Sequence, residues 1–175
     1  MKYQNNLYNI RTRLLLILSW VPVGYTVLKH GVSPYQITGS SMAPSLNPGL
    51  DLVENDVVLV KKYGLKGKDG LARGDIVVFR SPYYPDKLSV KRVVGIQGDK
   101  INTRPPCPKP QQRVLRNHVW VEGDNAFHSI DSNTFGPISQ GLVVGKVIAV
   151  IWPLSRIGVD FSKGGRDPRD LDEPV

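Results

Sequence analysis

Three segments of this 175-residue sequence hold side chains able to carry chemistry. In Ile37-Thr38-Gly39-Ser40-Ser41-Met42-Ala43-Pro44-Ser45-Leu46, a run of small residues ends at a helix-breaking proline. The Ser41 hydroxyl is thereby set on a tight turn, where backbone N–H groups can converge on an oxyanion. Gly-Ser-Ser is also ordinary loop composition, so this segment alone decides nothing. In Lys87-Leu88-Ser89-Val90-Lys91-Arg92-Val93-Val94-Gly95-Ile96-Gln97-Gly98-Asp99, strand alternation puts Ser89, Lys91 and Val93 on one face and Val90, Arg92 and Val94 on the other. A lysine becomes a general base when desolvation brings its pKa toward neutrality, whereas an arginine does not lose its proton, which leaves Lys91 as the candidate. The competing reading is that Lys91 and Arg92 are edge-strand charges that deter aggregation, and periodicity does not say which face is inside. The third segment runs from Trp120-Val121-Glu122 through the turn Gly123-Asp124-Asn125 to Ser129-Ile130-Asp131-Ser132-Asn133. Taken alone, Ser129 and Asp131 are turn-capping residues.

Other chemistries fit less well. His128 lies one residue from Ser129 and three from Asp131, too close along a loop to make a Ser–His–Asp triad with them, and His30 and His118 have no such neighbours. The histidines and acids show no metal-ligand spacing, so neither a metal nor another cofactor is expected. The single cysteine, Cys107, rules out an intramolecular disulfide or a Cys-based zinc site and reads as a loop residue.

The formal net charge of +8 is concentrated between Lys61 and Arg116, where 14 Lys/Arg face four Asp. Such an excess attracts anionic surfaces, membranes among them. The basic residues are scattered among apolar strands without an aromatic ladder, so a solvated basic face is expected and no nucleic-acid partner.

The elements that must position these residues follow from patterning. Residues 1–13 are polar, with Lys2, Arg11 and Arg13 and no acid. Leu14 to Leu28 is then a 15-residue stretch without a charge. It is short for a hydrocarbon core unless Trp20 and Tyr25 sit at the interface and Lys29 snorkels. A cleaved signal would need small residues at a cut site, but Lys29-His30-Gly31-Val32 follows. A buried helix would not need the flanking charges, so an anchor over 14–30 is expected, with the basic N-terminus on the negative-potential side. Strands are expected at 56–62, 75–80, 89–97, 118–122 and 143–151, separated by Gly/Pro turns. The four prolines of residues 103–117 suggest an exposed loop within a β-rich domain over 31–160, and residues 161–175 a loose charged tail.

Taken in order, the three segments resemble the type I signal peptidase family: Ser-Met-x-Pro at Ser41, Lys-Arg-Val-x-Gly-x-x-Gly-Asp at Lys91, and Gly-Asp-Asn followed by Ser-x-Asp-Ser from Gly123, with Arg73-Gly74-Asp75-Ile76-Val77 between. The resemblance covers residues 37–138. It is strongest to the mitochondrial inner-membrane branch, through Trp120-Val121-Glu122-Gly123-Asp124 and Ser129-Ile130-Asp131-Ser132-Asn133-Thr134-Phe135-Gly136-Pro137.

The resemblance implies a mainly β, antiparallel signal-peptidase-like domain behind one transmembrane helix. It implies a serine endopeptidase with Ser41 as nucleophile and Lys91 as general base. Ser129 would hold the lysine ammonium, and Asp131 would shape the loop around it. Substrates would be precursors with bipartite presequences, and the partners a paralogous subunit 1 in a heterodimer and inner-membrane lipids. The catalytic domain would face the intermembrane space. Two departures from the family pattern stand out. Many members carry a serine side-chain oxyanion donor where this chain has Gly39, which leaves backbone N–H groups or Ser40. Other branches carry Arg where this chain has Asn133, which removes the expected salt-bridge partner of Asp131.

Overall fold

A computed structural model describes residues 12–49, 55–65, 70–161 and 164–166. The basic residues Lys2 and Arg11 and most of the 161–175 tail lie outside the described residues. The first element, α1 (Thr12–Gly31), is a 20-residue helix whose side chains are exposed throughout. At 1.5 Å per residue it is about 30 Å long, the thickness of a hydrocarbon core. It reaches that length by taking in Thr12 and Arg13 at one end and Lys29, His30 and Gly31 at the other, more than the uncharged run alone supplies. Its last turn, Val27–Gly31, is π-helical and leads directly into the first strand.

Among the described residues nine strands follow: β1 (Val32–Gln36), β2 (Val57–Lys61), β3 (Ile76–Arg80), β4 (Leu88–Gly95), β5 (Lys100–Asn102), β6 (Gln111–Arg113), β7 (His118–Glu122), β8 (Ile138–Ser139) and β9 (Val143–Trp152). A four-residue helix, α2 (Ser132–Phe135), separates β7 from β8. Seven strands form an antiparallel sheet in the order β1-β2-β9-β3-β4-β7-β8, and β5 and β6 make a separate hairpin. The fold is thus mainly β, as the patterning predicts, and antiparallel, as the family resemblance implies. Each of the five expected strands is present within about two residues. β1 falls where no strand was expected: it is short, carries Pro34 and sits at the edge of the sheet. Residues 103–117 are loop only in part: Gln111–Arg113 pairs with Lys100–Asn102, and Val114 is buried.

β3 explains how both faces of the sheet come to be covered. Ile76, Val77, Val78 and Phe79 are all buried. Ile76 and Val78 join Met42, Leu46, Val58 and Val60 on one side, while Val77 and Phe79 join Val93, Val119 and Val121 on the other. A continuous apolar run buried on both faces, rather than an alternating one, is what a central strand requires. β4 lies between β3 and β7, so Lys91 and Arg92 are interior and not edge charges. Lys91 is 5% exposed and Arg92 3%. A third cluster, around Trp120, Ile101 and Val114, packs the β5–β6 hairpin onto the end of β7.

Candidate active site

The turn bearing Ser41 is held from below by a polar clamp. Asn47, at φ 50°, donates from its backbone N–H to Asp56 (2.9 Å) and from its side-chain amide to the carbonyls of Ile37 (2.8 Å) and Gly39 (3.2 Å). Asp56 returns a backbone N–H bond to Asn47 Oδ1 at 2.7 Å and pairs with Arg156 at 2.9 Å. Arg156 in turn donates to the Ser45 carbonyl at 2.9 Å. With Met42 and Leu46 buried beneath it, the turn is fixed by both packing and hydrogen bonds. Gly39 sits at φ +86°, a conformation that strains any residue with a Cβ. The position that bears a hydroxyl in many family members is therefore committed here to a glycine backbone.

Lys91 projects from β4 on the Val77 face, and its Nζ lies 2.6 Å from Ser41 Oγ. The two residues are 50 positions apart in sequence. Burial lowers the Lys91 pKa to about 8, against the opposing pull of Asp131 first and Asp124 second. Desolvation therefore outweighs two carboxylates, and an appreciable share of the amine is neutral near physiological pH.

The third segment closes the site. A Cβ on Gly123 would fall 2.3 Å from Ser129 Oγ and 2.6 Å from the Ser41 carbonyl oxygen, so only glycine lets the end of β7 abut the serine turn. Asn125 then grips that turn, donating its backbone N–H to the Ser41 carbonyl (3.1 Å) and its side-chain amide to that of Ser40 (3.3 Å). Ser129 donates to Asp131 Oδ2 at 2.8 Å, and the same oxygen accepts the Gly123 N–H at 3.1 Å. The other oxygen, Oδ1, caps α2 through the Asn133 N–H at 3.0 Å. The missing arginine does not leave Asp131 alone: the Asn133 side-chain amide donates to Oδ1 at 3.1 Å.

Sequence reasoning did not single out several residues that complete this arrangement. Arg92 forms a two-pronged ion pair with Asp124, at 2.8 and 2.6 Å, with side-chain exposures of 4% and 1%. It also donates to the carbonyls of Gly74 and Phe161 and to Ser45 Oγ. A guanidinium that cannot titrate thus stands behind the lysine that can, tying together the serine turn, the Gly-Asp-Asn turn and the Arg73–Val77 box. The box is fastened a second time by Arg73 to Asp99, at 2.6 and 2.8 Å. Asp124 and Arg92 were visible as types and spacing, but only their burial distinguishes a clamp from a surface pair. Among the described residues, no group of three or more His, Cys, Asp or Glu is placed to hold a metal ion.

A nucleophilic hydroxyl within hydrogen-bond reach of a desolvated amine, in a cleft of about 210 Å³ lined by Ile37, Met42, Val78 and Val90, is an arrangement suited to acyl transfer. The family model for signal peptidase, peptidase S26, matches residues 10–106 and 102–152. This chain belongs to that family. It is 51% identical over 154 residues to mitochondrial inner membrane protease subunit 2 of Saccharomyces cerevisiae, covering 87% of each chain. It is 48% identical to the protein of that name from Schizosaccharomyces pombe, covering 83% of this chain and 78% of the other. Human mitochondrial inner membrane protease subunit 1 is 39% identical, with 78% of this chain and 84% of that one covered. A solved signal peptidase I from Enterococcus faecalis overlaps 45% of this chain and 97% of its own at 21% identity, with a TM-score of 0.38.

Proposed function

We propose that this peptidase is an endopeptidase of the mitochondrial inner membrane that removes sorting presequences, with Ser41 as nucleophile and Lys91 as general base. The 2.6 Å approach of a buried lysine to a turn serine carries this reading. In the neutral form the Lys91 nitrogen accepts the Ser41 proton as Oγ attacks the scissile carbonyl. The carbonyl oxygen becomes an oxyanion, supported by the Ser41 N–H, with Ser40 beside it and no side-chain donor at Gly39. Collapse expels the amine of the mature chain with the proton from Lys91. Lys91 then activates the water that releases the acyl-enzyme. Ser129 and Asp131 steady the ammonium form between these steps.

The cleft and the inner membrane protease names of the relatives support this substrate class. An extended peptide lies against the sheet between the β1 end and β4, where a cleft of about 210 Å³ has room for small side chains before the cut. Precursors with bipartite presequences, presented at the membrane surface of the intermembrane space, meet these terms. α1 keeps the site near that surface, in contact with inner-membrane lipids. The names of the relatives, subunits 1 and 2, support a heterodimer with a paralogous subunit.

The test is presequence processing in membranes whose own copy of this protein has been replaced by wild-type chain, Ser41→Ala or Lys91→Ala. Both variants accumulate the uncleaved precursor. Retained cleavage by either removes the dyad, and leaves a membrane-tethered basic β domain that binds a partner protein or lipid.

A further inference from the structure

Asn133 uses every polar atom of its side chain, and each bond goes to a different element. Its amide Nδ2 donates to Asp131 Oδ1 at 3.1 Å and to Glu122 Oε1 at 3.2 Å. Its Oδ1 accepts the Arg104 backbone N–H at 2.8 Å, fastening the start of the proline-rich segment. Asn133, Asp131 and Glu122 are 7%, 5% and 4% exposed, so one neutral amide bridges two buried carboxylates. An arginine at this position would meet both carboxylates but offer no acceptor to the Arg104 N–H. The amide therefore satisfies both carboxylates without adding a cation to the cluster.

We propose that Asn133 is a positioning residue for the reaction, whose uncharged amide holds Asp131 against Ser129 and Gly123 while preserving the negative charge that Lys91 experiences. Glu122 is the second member of this device, since it orients the amide and is itself fixed by the Trp120 indole N–H at 2.8 Å. The charges facing the cluster come from four parts of the chain. Asp131 and Glu122 are negative. Arg104, from the proline-rich segment, and Arg166, from the C-terminal segment, lie 4.0 and 3.4 Å from Glu122. On the Lys91 side stand Asp131 and Asp124, with Asp124 already matched by Arg92. A change of charge at position 133 alters this balance beside Asp131, whose charge acts on Lys91, without touching the dyad. The inference rests on the Ser41–Lys91 reading.

The experiment is the pH profile of kcat/KM for the full-length chain in detergent-solubilised membranes. A negative charge at 133, beside Asp131, favours the ammonium, so Asn133→Asp moves the acidic limb up, by up to about one pH unit. Asn133→Arg moves it down by a similar amount. The opposite signs are the readout that loss of structure alone does not produce. If both variants are slower but keep the wild-type limb, or shift it in one direction, the inference is overturned. Should Asn133→Asp fail to fold with three carboxylates together, Asn133→Arg decides, and an unmoved limb refutes the inference. Ser41→Ala and Lys91→Ala run in parallel: cleavage by either defeats the dyad reading, whereas two dead controls with unshifted limbs defeat only the role of Asn133.

Discussion

Replacing Lys91 by arginine keeps a buried cation on β4 and removes only the ability to give up a proton. With the Lys91 pKa lowered to about 8 by burial, the neutral share of the amine is about 1% at pH 6, 9% at pH 7 and 50% at pH 8. An ordinary lysine at 10.5 would offer about 0.03% at pH 7, so burial raises the active fraction by roughly 300-fold. The wild-type kcat/KM should therefore climb about 50-fold between pH 6 and 8 and level off above pH 9. Lys91→Arg should lose roughly 10²- to 10⁴-fold at every pH, the usual contribution of a positioned general base. The assay is cleavage of a quenched-fluorescent peptide with small residues before the cut, using solubilised membranes and subtracting the rate of Ser41→Ala membranes. Three results would refute the reasoning: a limb that continues to rise tenfold per unit through pH 10, a midpoint near that of histidine, or substantial activity in Lys91→Arg.

Other consequences follow from the same geometry. Burial lowers the folded pKa of Lys91 from 10.5 to about 8, so its desolvation penalty is fully felt below pH 8 and relieved between pH 8 and 10.5, where the unfolded chain binds more protons. Denaturant unfolding of wild type against Lys91→Met should thus show the wild type gaining up to about 3 kcal/mol on the variant from pH 7 to 10.5, and a constant gap would count against a buried amine. Arg92→Met strands Asp124 in the interior and should cost about 3–5 kcal/mol, with much of the loss recovered in Arg92→Met/Asp124→Leu; additive losses would mean that the pair is not coupled. Gly39→Ser meets no atom within 4 Å but forces a Cβ into positive φ, so thermal unfolding should report a loss of about 1 kcal/mol or more without a gain in kcat. A tenfold rate gain would show that the new hydroxyl reaches the oxyanion.

Much of the molecule was legible along the chain because strands announce themselves by alternation and turns by Gly and Pro. The five expected strands, the apolar helix and the mainly β class follow from such local signals, while the antiparallel arrangement came from the family resemblance. The motif order brought Ser41 and Lys91 forward as a pair, and the chemistry of side chains alone eliminated Arg92 as a base. β1 and the β5–β6 hairpin were not legible. They are short, with weak alternation, and are stabilised by what they pair with rather than by their own pattern.

What only the tertiary structure decided is which charges are inside. Periodicity placed Lys91 and Arg92 on opposite faces, but a strand of that pattern serves equally at an edge or in the centre. Its position between β3 and β7 buries both, and burial lowers the pKa of the lysine and locks the arginine into a clamp. The same holds for Asn133, which in sequence marks only a missing arginine. Folded, it is an amide between two buried carboxylates, a role set by residues far apart in the chain and by a desolvation that no local pattern encodes.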